Sequence, residues 1–149
     1  MTRSKRMTPV VKVAENREQA AARILGEAQQ RLEQQQRKLE ELATYRDQYS
    51  SEFQQRSGQG MGVARLQDFR VFLARLNEAI EQQQRLVERC RQERERQRLN
   101  WLSTRTRTQA LGKVVDRYRR EERHQAERRE QLDTDERALR TCRPDLDES

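Results

Sequence analysis

The chain has 149 residues, of which only 32% are hydrophobic while 38% are charged, and its mean hydropathy is −1.30. Too little apolar side chain is present to fill a globular core, which leaves either disorder or an extended helical assembly. The net charge of +7 comes from 28 arginines and four lysines against 25 acids, so an acidic protein surface, nucleic acid or anionic lipid are the partner classes to weigh.

Proline decides in favour of helix. Pro9 and Pro144 are the only two, and the 134 residues between them are dense in Gln, Glu, Arg, Leu and Ala, all good helix formers. The N-terminal stretch MTRSKRMTPVVKV carries +4 within its first twelve residues and lacks the apolar centre of a signal peptide. No segment reaches the roughly 18 to 20 consecutive apolar residues of a membrane span, so a cytoplasmic or peripheral protein is expected.

The first helix is expected over about residues 9–57, with Pro9 in its first turn. Steps of three and four residues from Val11 give Val11, Ala14, Glu18, Ala21, Leu25, Ala28 and Leu32, then Gln35, Leu39, Leu42, Arg46, Tyr49 and Phe53. Ten of these thirteen are apolar in a segment that is otherwise almost wholly polar. That is the a/d seam of a coiled coil.

The seam stops at SGQGMG, residues 57–62, which holds three of the chain's five glycines. A phosphate-binding loop needs an apolar strand before it and a Lys followed by Ser or Thr at its end, and neither is here. The cluster is therefore a turn, with Gly58 suited to the left-handed position past a helix end.

A second helix, about 63–140, resumes the spacing with Leu66, Phe69, Leu73, Leu76, Ile80, Gln83, Val87 and Cys90. After a polar gap at Arg94 and Gln97 it continues through Trp101, Thr104, Thr108, Leu111, Val115 and Tyr118, and later catches only Leu132 and Leu139. A short turn between long helices makes them antiparallel neighbours, with partner numbers adding to about 120. Trp101 then faces Ala20, Ala21 and Ala22. The fold expected is an all-α, long two-helix antiparallel coiled-coil hairpin with a longer second helix, a single elongated domain over residues 1–149. With helix one starting near Pro9, its partner runs out near residue 111, and residues 112–140 are expected to project alone. An acidic tail, 141–149, follows. Residues 85–129 carry fifteen bases against seven acids, while residues 130–149 carry a net −4.

A two-helix pair has no water-excluding pocket in which catalytic groups converge, so no catalytic residue, cofactor or metal site is expected. His124 lies on a polar stretch without a nucleophile or metal partner. Cys90 and Cys142 are expected to be free thiols. Apolar side chains beside the seam stand out more. Tyr45 precedes seam position 46, Phe72 precedes Leu73 and Ala79 precedes Ile80, so they widen the apolar stripe near the turn, with Leu42, Tyr49 and Leu76 at its margin. An exposed aromatic patch on a polar helix pair is a candidate docking site.

The run AARILGEAQQRLEQQQRKLEELATYRDQYSSEF, the glycine turn and LQDFRVFLARLNEAIEQQQ resemble the FliJ family of bacterial flagellar type III export. The landmarks AARILGE, YRDQY and FLARLNEAIEQ fall within roughly residues 20–84, while the last third matches in its charged helical character. The resemblance implies a stalk-like antiparallel coiled coil that binds the hexameric export ATPase FliI through its termini, contacts the export gate protein FlhA and binds export chaperones. It also implies a cytoplasmic protein peripherally associated with the inner membrane at the flagellar base. Carried over, the gate-binding patch falls on Leu42, Tyr45, Tyr49, Phe72, Leu76 and Ala79. Gln83, where relatives can carry a histidine, and Lys38, where a glutamine is common, depart from the family at its edges. Arg17, Arg23, Arg105, Arg107, Arg117 and Arg119 are the candidates for meeting acidic groups of the ATPase ring. The rivals are a nucleic-acid-binding coiled coil or a plain scaffold. Against nucleic acid, Glu93, Glu95, Glu121, Glu122 and Glu127 interrupt the bases and no aromatic stacking platform accompanies them.

Overall fold

A computed structural model describes residues 1–60 and 62–142. The fold is an all-α two-helix antiparallel hairpin: α1 spans Arg3–Ser57 and α2 spans Val63–Cys142. Contacts divide it into a terminal unit, Met1–Glu18 with residues from Thr104 onward, and a turn unit, Gln19–Ser103. Met61, inside the expected turn, and residues 143–149 of the expected acidic tail lie outside the described residues.

In the turn unit the seam is the core. Ala21, Ala28 and Leu32 of α1 and Leu76, Ile80 and Val87 of α2 are buried, and the remaining seam positions of both helices are half-buried. Two helices cover each other on one side only, so among the described residues no large side chain is completely enclosed. The antiparallel register is visible in Tyr49 against Phe69 and Phe72, in Gln35 against Gln83 and in Gln29 against Arg94. Ala21 is buried and Ala20 and Trp101 are half-buried, while Ala22 points to solvent.

Polar layers interrupt the seam, and two of them are bonded across it. The Gln83 side-chain amide donates to both the Gln35 backbone carbonyl and the Gln35 Oε1, each at 2.9 Å. The Arg94 Nη1 donates to Gln29 Oε1 at 3.2 Å, while its Nε is buried without a hydrogen-bond acceptor. Such layers cost stability relative to apolar ones but penalise any shift that would leave an amide unpaired.

The turn itself is closed by backbone bonds. The Gly58 amide donates to the Gln54 carbonyl, Gln59 to Arg56 and Gly60 to Ser57. The left-handed residue is Gly60, at φ +85°, and not Gly58. The expected cap therefore sits two positions later, because α1 runs through Ser57 and Gly58 still donates back to its last turn. Leu66 donates to the Gly62 carbonyl, which starts α2.

The terminal unit corrects the expected start and extent of pairing. α1 begins at Arg3, so Pro9 lies inside it, where its ring removes one helical hydrogen bond. The seam simply steps back from Val11 through half-buried Met7 to buried Ser4. On α2 it steps forward from Val115, which is buried, through Tyr118 to Glu122. Residues 112–122 are thus covered by α1, and the helix without a partner starts at residue 123.

What holds this end is an interhelical cap. The α1 N-terminus has no acid in its first turn, and its free amides would lack acceptors. Glu122 of α2 supplies one of them: Ser4 N–H donates to its Oε1 at 3.1 Å, and the Ser4 hydroxyl donates to its Oε2 at 2.7 Å. These two bonds hold the Glu122 carboxyl below its ordinary value, against a smaller opposing effect of burial. The Arg3 guanidinium lies 5.8 Å from the Tyr118 ring centre, a cation–π distance, on the same turn.

Because the Glu122 carboxyl is lowered from 4.5, its contribution is present above that pH and is lost as pH falls through the folded-state value beneath it. Amide exchange of residues 3–8 should therefore accelerate below pH 4.5 in the natural protein, and be fast and nearly pH-independent across that range in Glu122→Ala after correction for intrinsic rates. In the turn unit, Gln83→Leu strands the Gln35 amide and should cost about 1–3 kcal/mol in denaturant unfolding. The double change Gln35→Leu with Gln83→Leu should recover that loss, since both partners become apolar.

Candidate functional site

Beyond the seam, the turn unit gathers five aromatic rings from the two helices. Tyr49 is the hub, with its ring centre 4.7 Å from Phe69, 4.6 Å from Phe72 and 6.4 Å from Tyr45. Tyr45 stands edge-on to Phe72 at 6.2 Å, and Phe53 packs on Phe69 at 5.1 Å. The positions follow from helix geometry. Tyr45 and Tyr49 are one turn apart on α1, as Phe69 and Phe72 are on α2, so antiparallel pairing brings the four rings into one cluster, stacked, tilted or edge-on.

The six expected patch residues occupy different depths. Tyr45 is 49% and Phe72 38% exposed, Leu42, Tyr49 and Ala79 are half-buried, and Leu76 is buried at 7%. A partner would touch Tyr45 and Phe72 directly, while Leu76 acts from beneath as floor. Burial pushes the Tyr49 phenol up from 10.0, with the neighbouring Tyr45 adding to the shift. Phe53 and Phe69 belong to the same cluster although sequence reasoning assigned them to the seam alone. Their signal was that each is aromatic and lies one helical turn from another patch ring, Phe53 from Tyr49 and Phe69 from Phe72.

The six candidate arginines, Arg17, Arg23, Arg105, Arg107, Arg117 and Arg119, are all exposed. Five belong to the terminal unit, and Arg23 to the turn unit. The Arg117 guanidinium sits 6.0 Å from the Tyr118 ring centre, on the same residue that Arg3 approaches. Arg17 and Arg107 line one groove with Val10 and Val13, and Arg119 lines another with Val11 and Val115. His124 is exposed on α2, and Cys90 and Cys142 are free thiols, the first half-buried in the seam. Among the described residues no group of three or more His, Cys, Asp or Glu side chains could hold a metal ion. No helix among them is long and apolar enough to cross a membrane.

The fold and these surfaces define a helical coiled-coil protein whose chemistry is contact between macromolecules. The family model described as Flagellar FliJ protein matches residues 3–144, and the chain belongs to that family. It is accordingly a non-enzymatic component of the flagellar protein export apparatus. No curated protein and no solved structure matches the chain.

The depths of the two tyrosines separate docking from stability. Tyr45→Ala should change unfolding free energy by less than about 1 kcal/mol, while Tyr49→Ala, at the hub, should cost about 3 kcal/mol. Since the Tyr49 phenol is raised above 10.0, its contribution is complete below that pH and is lost as pH rises through the folded-state value. Thermal unfolding of the two variants across alkaline pH would check both statements.

Proposed function

We propose that this protein is the stalk-like coupling factor of the export ATPase ring and an escort between that ATPase, the export chaperones and the export gate. In this reading residues 1–149 act as a single elongated domain at the cytoplasmic face of the inner membrane, peripherally associated at the flagellar base. The reading rests on family membership and is carried by one observation. In the terminal unit a two-helix end bears exposed Arg17, Arg107, Arg117 and Arg119, and α2 then runs on without α1 from residue 123 to Cys142. The arginine-rich two-helix part of that end can meet acidic groups of a ring lumen through its guanidinium groups, without shape-specific contacts. Arg23 and Arg105 add to the same positive field.

The second contact in this reading is with the gate protein FlhA. Tyr45 and Phe72 would insert as aromatic anchors, with Leu42, Tyr49 and Ala79 around them and Leu76 below, because fully desolvated aromatic side chains dominate docking energies. The exposed rings already pack on Tyr49, so little side-chain freedom remains to be lost on binding.

The test is the hydrolysis rate of the cognate FliI with and without the full chain. Stimulation that falls with salt, and falls again when Arg17, Arg107, Arg117 and Arg119 are changed together to Gln, is the expected result. A chain ending after Glu122 keeps the clasp on Ser4 and should remain folded while losing most of the stimulation. No effect of the full chain on FliI would overturn the stalk reading. Independently, Tyr45→Ala with Phe72→Ala should weaken FlhA binding at least about tenfold without altering helicity, and unchanged binding would remove the gate patch.

A further inference from the structure

Two surfaces of the terminal unit lack a partner, and their chemistries are complementary. The first is an open groove between α1 and α2, floored by Val10, Val13, Ala14 and Leu111 and flanked by Arg17 and Arg107. Val10 and Val13 are exposed although aliphatic. They lie one position before the seam residues Val11 and Ala14, so they form a second apolar edge that α2 does not cover.

The second surface is the end of α2. Every residue from 123 to 142 is exposed, including Leu132 at 64% and Leu139 at 70%. These two are seven apart and share the heptad position of Leu111 and Tyr118, so they continue the α1–α2 interface beyond the point where α1 begins. Residues 130–136 around Leu132 carry four acids and no base. An aliphatic stripe edged with carboxylates is the complement of an aliphatic groove edged with guanidinium groups.

One chain cannot bring the two together. α2 is a continuous helix through both places, so Leu132 lies about 32 Å along the axis from Leu111. We propose that the occupant of the groove is a second copy of this chain: the acidic end of α2 from one copy lies in the groove of the other, and reciprocally. Running the two α2 helices antiparallel sets Leu132 of one copy against Leu111 and Val13 of the other. The same register returns Leu111 against Leu132, about a two-fold axis near residues 121 and 122. Both dockings therefore form at once, and the contact is self-complementary and closes at two copies. Asp135 comes level with Arg107, with Arg17 on the opposite wall, so its carboxylate enters between two guanidinium groups. With two small contacts in place of one broad one, the affinity is on the order of micromolar.

This dimer covers Arg17, Arg107 and the bare end of α2. It would exclude the same copy from a ring, and it gives the unpartnered helix a cover while no ring is engaged.

The experiment is sedimentation equilibrium of the full chain alone, up to about 200 μM and at low and high salt, which spans the affinity expected. A monomer–dimer equilibrium that weakens with salt is the expected result. Val13→Glu and, separately, Leu132→Glu with Leu139→Glu should each weaken it at least about tenfold while leaving helicity unchanged, since all three side chains are exposed in one copy. Arg107→Glu and Asp135→Arg should each weaken it, and the two in one chain should restore it. A monomer throughout the range overturns the proposal, as does a dimer indifferent to the Val13 and Leu132/Leu139 substitutions. Failure of the charge exchange to restore association overturns it as well.

Discussion

The whole molecule depends on burying one narrow apolar stripe on each of two helices against the other. With so little hydrophobic side chain, nothing else can offset the entropy of ordering the chain, because isolated helices gain no burial in water. The stripe follows alternating three- and four-residue steps, and its positions from Ser4 to Phe53 and from Leu66 to Glu122 are buried or half-buried. The seam is also thin. Ala14, Ala21 and Ala28 with Leu32, Ile80 and Val87 close it, while the aromatic seam side chains remain half-buried.

The polar interruptions have a distinct role within that constraint. A purely aliphatic seam can slide by a heptad at little cost, whereas the Gln35–Gln83 and Gln29–Arg94 pairs fix one register. The Ser4–Glu122 clasp does the same at the terminal unit and replaces the helix cap that α1 lacks. What the seam leaves outside is exposed rings beside it in the turn unit and exposed guanidinium groups around it in the terminal unit.

A coiled coil of only two helices cannot cover all its apolar surface internally. Tyr45 and Phe72 illustrate the compromise, since each is packed on Tyr49 yet keeps much of its face in solvent. Their rigidity comes from neighbours that are themselves core residues. The end of α2 is the opposite case, a helix exposed on all sides, whose Leu132 and Leu139 α1 does not reach.

The sequence by itself determined the helices, their antiparallel pairing, the place of the turn and the identity of the aromatic stripe, because each rests on local spacing and on glycine and proline positions. It also carried the family likeness in the landmarks around Tyr45 and Phe72. Tertiary structure alone decided where α1 starts. Pro9 read as a first-turn signal, but a cap supplied by Glu122, 118 positions away, supports six further residues before it. No local pattern encodes that contact, since Ser4 and Glu122 are ordinary surface residues until antiparallel pairing brings them together. The same holds for the depth of the patch. Spacing placed Leu76 and Tyr45 on one stripe, but only packing of both helices made the first a floor and the second a surface. The left-handed turn residue was likewise settled by how far α1 continues, which shifted it from Gly58 to Gly60.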